Sequence, residues 1–332
     1  MLNELSIVKP IFQAPMAGIT TPSFVATCSE TGILGWIGAG YLNGQQTQAF
    51  IREVKQLTTK PFGINVYIQE EPKIDVIVLQ QARMALEPIY KELQIRGVPK
   101  VISTEVYQGQ IEAIAAEKVP YVSFTFGIPT DETMQLLREA GCTLIGTATT
   151  LKEAVAIEQA GMDAVILQGA EAGGHRGYFL EPMELVPLRT LIEQVKGQVS
   201  IPIIAAGGIM TKAHVDEILA LGADYVQMGS IFIPAIECEA DPLQKEAVLS
   251  SNEQATVISS AYTGKPARTL KNRFTQKMEH EVIAPYPLQF HLTKSITKVS
   301  KKESNKEYLS VWLGQNGHLA QVKSVRDIVD SL

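Results

Sequence analysis

A loop with four glycines and one imidazole is the part of this sequence best suited to chemistry. It follows a short apolar run and reads Gln168-Gly-Ala-Glu-Ala-Gly-Gly-His175-Arg-Gly177. Glycines let backbone approach a flat ligand closely, and histidine is the side chain whose ordinary pKa suits proton transfer near neutrality. We therefore interpret His175 as a catalytic residue. The alternative is a loop histidine that only satisfies backbone carbonyls.

Two glycine-containing turns follow on consecutive strands. The first is Gly207-Gly208, which ends an apolar run just before a helical pattern. The second consists of Gln227, Met228, Gly229 and Ser230. Backbone N–H groups at a helix start receive phosphate well, and in α/β barrels such neighbouring loops commonly hold a phosphate group. Each turn alone could be structural, but the pair predicts a phosphate site.

A third group lies near the C-terminus. Tyr286, Phe290 and Lys294 are spaced by four residues, so on a helix they share a face. On spacing alone a solvated Lys294 is equally compatible with the sequence.

These residues need a scaffold, and the sequence predicts one. Short apolar runs alternate with helical patterns that end at Gly141, Gly161 and Gly222. The runs are Ile11–Ala14, Gly35–Gly38, Phe62–Val66, Tyr121–Phe126, Thr143–Ala148, Ala164–Gln168, Ile201–Ala206 and Asp224–Met228. Eight parallel strands close a TIM (β/α)₈ barrel. A ninth candidate strand, Lys100–Ser103, is assigned instead to the segment that leads into a helix over Val106–Lys118.

The alternation stops after Phe232, which predicts an α/β fold with two parts. Residues 1–235 form the barrel, and residues 236–317 form a smaller, mainly helical lobe that covers the substrate, the lid lobe. The last residues, 318–332, pack back on the barrel through an amphipathic helix over Val322–Leu332.

The composition fits an ordinary globular enzyme. The chain has 332 residues, 45% of them hydrophobic, and a net charge of -6, which argues against nucleic acid or anionic membrane as a partner. Three separated cysteines fit neither a disulfide framework nor a metal site. The N-terminus lacks a signal pattern and no run is long enough to span a membrane, so we expect a cytoplasmic protein.

Several of these segments together resemble nitronate monooxygenase, formerly called 2-nitropropane dioxygenase. The barrel motifs are Gln13–Gly18, Pro61–Val66, Ser123–Gly127, Gly173–Gly177, Ala205–Gly208 and Gln227–Ser230. The class I branch is most similar, because Gly264–Arg268, Asn272–Phe274 and Trp312–Gln315 also fit. The resemblance therefore covers nearly the whole chain.

The resemblance implies an FMN cofactor and a role for each motif. Asn65 and Gln168 would hold the ring and ribityl chain, although strand-end amides can also be mere caps. Gly173 would lie close to the flavin, and Gly207, Gly208 and Gln227–Ser230 would surround the phosphate. The residues beside the isoalloxazine would be Ala14, Pro15 and Met16. Tyr286 and Lys294 would meet an anionic substrate, with Phe290 where a second tyrosine often occurs.

The implied reaction is the oxidation of alkyl nitronates by O₂ to carbonyl compounds and nitrite, with propionate 3-nitronate as substrate. His175 would hydrogen-bond the nitronate, or take the α-proton of a neutral nitroalkane. One rival is an NAD(P)H-dependent flavin reductase of the enoyl-acyl-carrier-protein or quinone reductase type. An inosinate dehydrogenase type of barrel would need a thiol where Ser230-Ile231-Phe232 stands. A flavin-binding sensor without catalytic activity is the rival from outside the enzymes.

Overall fold

The computed structural model describes residue 5 and the ranges 7–68, 75–97 and 107–332. Its strands are β1 (Ile11–Gln13), β2 (Gly35–Gly38), β3 (Phe62–Tyr67), β4 (Tyr121–Thr125), β5 (Thr143–Ala148), β6 (Ala164–Gln168), β7 (Gly174–His175), β8 (Ile203–Ala206), β9 (Tyr225–Met228), β10 (Thr256–Ser259) and β11 (Ala267–Leu270). Its helices are α1 (Pro22–Glu30), α2 (Gly44–Leu57), α3 (Val76–Glu92), α4 (Tyr107–Glu117), α5 (Asp131–Glu139), α6 (Leu151–Gln159), α7 (Leu188–Val195), α8 (Lys212–Leu221), α9 (Pro242–Leu249), α10 (Arg273–Lys277), α11 (Leu288–Lys302) and α12 (Val325–Asp330).

Eight of these strands form a parallel barrel. The order in the sheet is β1-β9-β8-β6-β5-β4-β3-β2. A parallel bridge between Phe12 and Leu34 joins the two ends of this order, with Gln13 N donating to Leu34 O at 2.9 Å. The (β/α)₈ barrel and all eight of its predicted strands are thus confirmed.

The glycines predicted to end helices do so. Gly141, Gly161 and Gly222 follow α5, α6 and α8, with φ of +85°, +80° and +118°. Only glycine adopts this backbone conformation at little cost, so each helix ends there and the chain turns into the next strand. The helix predicted over Val106–Lys118 is α4, and the proposed approach segment Lys100–Ser103 lies outside the described residues.

Apolar side chains pack on both faces of the barrel wall. Inside the barrel lies a small cluster that includes Phe12, Trp36, Ile145, Ile166 and Ile204. The outer faces of the strands pack against the surrounding helices in a larger cluster. The helix α12 buries its apolar side chains, Val325, Ile328 and Val329, in that same outer cluster.

The segment after the barrel contains a small sheet that the sequence did not predict. Strands β10 and β11 pair in antiparallel fashion, and β11 also pairs with β7, with Ala267 opposite His175. This segment has its own apolar cluster, which α3 joins through Ala82, Leu86 and Ile89. Its assignment as a separate lid lobe remains a prediction. None of the helices in the described ranges is both long and apolar enough to cross a membrane.

Candidate active site

A cavity opens at the carboxyl ends of the barrel strands. It holds about 1150 Å³ of empty space, a volume that includes the solvent at its open mouth. His175 lines this cavity, and so does every residue predicted to bind a cofactor. Those residues are Ala14, Pro15, Met16, Asn65, Gln168, Gly173, Gly207, Gly208, Gln227, Met228, Gly229 and Ser230.

The register of the strands turns polar side chains inward at this rim. Residues paired on neighbouring strands point to the same face of a sheet. Phe12, which packs inside the barrel, pairs with Gln227, and the same face continues through Ala206 to Gln168. The inward polar residues that line the cavity include Asn65, Thr125, Thr147, Gln168 and Gln227. A layer of amide and hydroxyl groups therefore lies between the apolar interior and the cavity.

The two predicted amide residues have different partners. Asn65 is buried, and its Nδ2 donates to Ser123 Oγ at 2.9 Å and to Thr125 Oγ1 at 3.0 Å. The Gln168 amide instead binds two backbone groups of the loop that carries His175. Its Nε2 donates to His175 O at 2.9 Å, and its Oε1 accepts from Gly177 N at 2.8 Å. Gln168 thus shapes the loop that carries His175, besides lining the cavity.

Gln227 carries a buried oxygen that needs a partner. Its Oε1 has no hydrogen bond within the described part of the chain. A buried acceptor left unpaired costs about 1–3 kcal/mol, and such groups are rare in folded proteins. Since Gln227 lines the cavity, a bound molecule with an N–H or O–H group would supply the missing donor.

The glycine turns on β8 and β9 leave little room for side chains. Gly207 and Gly208 have φ of +133° and +69°, and a Cβ at Gly208 would lie 3.0 Å from Glu171 Cβ. At Gly229 a Cβ would lie 3.3 Å from Ala14 Cβ. Backbone therefore forms this side of the cavity, as expected of a phosphate site.

A distant segment packs onto these turns. Gly314 N donates to Ser230 Oγ at 2.9 Å, and Asn316 Nδ2 donates to Gly208 O at 2.8 Å. A Cβ at Gly173 would lie 2.5 Å from Gly314 N, so Gly173 is needed for the close approach of this segment.

His175 is held in an aromatic enclosure. The residue is 8% exposed, and its Nε2 lies 2.9 Å from Thr263 Oγ1. The surrounding rings are those of Trp312, Phe126, Tyr67 and Tyr286, with centroids 5.2, 5.7, 5.9 and 6.2 Å from the imidazole. Phe126 has φ of +78°, a costly conformation for a bulky residue, and such strain is concentrated at functional sites.

This enclosure keeps His175 uncharged. Burial, with a smaller effect from the Lys265 ammonium, lowers the pKa of His175 from 6.5 to about 4. Lys265 Nζ also lies 4.4 Å from the centroid of the Phe126 ring. The imidazole is therefore neutral at pH 7, with one ring nitrogen protonated and the other not.

The predicted substrate residues do not share a helix face. The helix α11 begins at Leu288, so Tyr286 precedes it, and that part of the prediction is wrong. Neither Tyr286 nor Lys294 is in the cavity lining, although Tyr286 contacts the His175 ring and Lys294 is exposed. Phe290 stacks on Tyr41 at 4.9 Å. Lys265, rather than Lys294, is the lysine beside His175.

Comparison with known proteins identifies the family. A family model described as nitronate monooxygenase matches residues 1–332. This chain belongs to the nitronate monooxygenase family. A probable nitronate monooxygenase of Staphylococcus aureus is 42% identical over 338 residues, covering 100% of this chain and 95% of the relative.

Solved structures agree with this membership in the nitronate monooxygenase family. A nitroalkane oxidase from Streptomyces ansochromogenes has a TM-score of 0.93 and 34% identity, covering 99% of this chain and 96% of its own. FabK from Thermotoga maritima has a TM-score of 0.78 and 31% identity, with coverage of 98% and 92%. The predicted family is confirmed, and the chain is an oxidoreductase.

Several cavity residues of this family member were missed from the sequence, four of them with large polar or aromatic side chains. These four are Tyr41, Tyr67, Trp312 and Asn316. Tyr67 could have been found, because it lies two positions after Asn65 on β3 and so shares its face. Trp312 and Asn316 reach the cavity from a segment with no strand or helix of its own, and no local pattern signals that.

The low pKa of His175 predicts a pH-dependent stability. In the unfolded chain His175 binds a proton below about pH 6.5, whereas in the folded chain it does so only near pH 4. The free energy of unfolding therefore decreases as the pH falls from 6.5 toward 4. We expect a loss of about 2 kcal/mol between pH 7 and pH 5. Urea unfolding at both pH values should show this loss in the wild type and in H280N, an exposed control, but not in H175N. Equal pH effects in all three would contradict it.

Proposed function

We propose that this chain is an FMN-dependent, class I nitronate monooxygenase that oxidises alkyl nitronates with O₂ to carbonyl compounds and nitrite. Propionate 3-nitronate is the proposed substrate. The observation that carries the proposal is a neutral, buried His175 within an aromatic enclosure, in one cavity with the polar layer and the two glycine turns. Family membership supports the reaction class.

The cavity fits FMN by its own chemistry. The unpaired Gln227 Oε1 calls for a donor such as a ribityl hydroxyl or a ring N–H. The Gly208 and Gly229 turns offer backbone amides to a phosphate without side chains in the way. Asn65 and Gln168 would meet the ring and ribityl chain, with Ala14 to Met16 beside the ring. When bound, FMN supplies the redox chemistry that links an electron-rich nitronate to O₂.

The protein residues bind and orient the nitronate. His175, neutral at pH 7, offers a hydrogen bond to a nitronate oxygen or a lone pair to an α-proton. Tyr67, Phe126, Tyr286 and Trp312 exclude water around it, which strengthens any hydrogen bond to an anion. Lys265 adds a positive charge on the same side. Tyr286 and Lys294 remain proposed substrate residues, and residues 236–317 the proposed lid lobe.

A spectrum and two assays test this function. We expect the purified protein to be yellow, to release FMN on denaturation, and to consume O₂ and form nitrite with propionate 3-nitronate. Anaerobic mixing with NADH is expected to leave the flavin oxidised. A protein that stays colourless after reconstitution with FMN would contradict the proposal. Rapid bleaching by NADH without nitronate turnover would favour a flavin reductase.

A further inference from the structure

The hydroxyl of Thr263 is the hydrogen-bond partner of the His175 ring. Thr263 is 1% exposed, and its Oγ1 lies 2.9 Å from His175 Nε2. The same oxygen accepts from Lys265 N at 3.3 Å and lies 3.2 Å from Lys265 O. A hydroxyl has a single proton to donate, so the imidazole and the carbonyl compete for it.

The imidazole is the better acceptor in this competition. It is nearer by 0.3 Å, and the short contact has the ordinary length of a strong hydrogen bond, whereas 3.2 Å is at the long end. His175 is buried, so water does not compete for its ring nitrogen, whereas Lys265 is only half-buried. The Thr263 hydroxyl then donates to Nε2, and the ring proton resides on Nδ1.

The other ring nitrogen, Nδ1, takes no part in the Thr263 contact, and His175 itself lines the cavity. Within the described residues, Nδ1 has no hydrogen bond to protein and is not among the buried atoms that lack one, so it is accessible. A protonated Nδ1 can donate to an anionic nitronate oxygen. It cannot take the α-proton of a neutral nitroalkane, because its lone pair is already used by a proton.

We propose that Thr263 is a positioning residue that holds His175 in its Nδ1–H tautomer and thereby selects ionised nitronates over neutral nitroalkanes. This inference rests on the proposed function, since it assigns the nitronate to the cavity. Among the described residues, the titratable groups facing the ring are Lys265, Tyr67 and Tyr286. Burial raises the pKa of both tyrosines, so both are uncharged at pH 7, and Lys265 acts on the ring by its charge.

The decisive experiment is ¹⁵N NMR of histidine-labelled holoenzyme, because protonated and unprotonated ring nitrogens have distinct shifts. His175 is assigned by the signals missing in H175N. We expect the Nδ1–H tautomer in the wild type and in T263S, which keeps the hydroxyl. In T263V, which removes it at nearly constant volume, we expect a shift toward the Nε2–H tautomer. An Nε2–H tautomer in the wild type, or no change in T263V, would overturn the inference.

Kinetics give a second readout that a purely structural role would not move. In T263V we expect kcat/KM for propionate 3-nitronate to fall about tenfold, which is the effect of losing one hydrogen bond. We also expect the enzyme to lose preference for the nitronate, so that the ratio of kcat/KM for propionate 3-nitronate to kcat/KM for 3-nitropropionate falls. T263S should restore both, and S300A, which removes another buried hydroxyl of the same segment, should leave them unchanged. Equal losses on both substrate forms would count against Thr263.

The two proposals fail in different ways. Wild-type protein that shows the Nδ1–H tautomer but forms no nitrite from any nitronate would remove the proposed function and leave the tautomer assignment standing. Nitrite formation by a protein whose His175 is in the Nε2–H tautomer would keep the function and remove the role of Thr263.

Discussion

Replacing His175 by asparagine is expected to lower kcat/KM for propionate 3-nitronate by about 10- to 100-fold, while the protein keeps its FMN and its fold. A hydrogen bond to a charged group contributes about 1.5–3 kcal/mol, and here it is made inside a water-poor aromatic enclosure. His175 is not among the proposed FMN ligands, so binding of the cofactor should survive. The measurements are nitrite release and the flavin-to-protein ratio.

H280N is the matched control for this loss. His280 is exposed and outside the cavity lining, so the same substitution there should leave kcat/KM unchanged. If H175N forms nitrite at the wild-type rate while retaining FMN, His175 has no part in turnover. That result would favour the alternative of a flavin-binding protein in which the histidine has only a structural role.

The barrel and much of its rim could be predicted because both depend on short-range patterns. Apolar runs of strand length, each followed by a helical pattern ending at a glycine such as Gly222, predict both the strands and their parallel order. Parallel strands bring their carboxyl ends to one rim. Residues that end different strands, such as Asn65 and Gln227, therefore meet without any knowledge of the loops.

The parts that were missed depend on contacts between residues far apart in the chain. The pairing of β7 with β11 brings Thr263 to His175, 88 positions away, and neither strand has an alternating pattern long enough to be recognised. The helix face expected for Tyr286 was wrong because α11 starts two residues later, at Leu288. The exact residue at which a helix begins is difficult to predict from sequence. Here the helix begins two residues after Tyr286, so Tyr286 is not on the same helix as Phe290 and Lys294.

Replacing Gly208 by valine is expected to abolish tight FMN binding, with a Kd at least 10- to 100-fold higher. Gly208 has φ of +69°, and an added Cβ would lie 3.0 Å from Glu171 Cβ and 3.2 Å from Asn316 Nδ2. The branched side chain pays about 1–3 kcal/mol for this backbone conformation. It must also displace Asn316, whose Nδ2 donates to Gly208 O. The turn that would receive the phosphate is thereby moved.

A second glycine separates the steric effect from the backbone effect. Gly197 has a similar φ of +77°, but a Cβ there would meet nothing within 4 Å, and it lies outside the cavity lining. G197V therefore carries the backbone cost without moving the turn, and it should lose stability but bind FMN normally. Titration of each apoprotein with FMN, followed by quenching of flavin fluorescence, gives both Kd values. Equal Kd values for G208V and G197V would mean that the Gly207-Gly208 turn does not hold the phosphate.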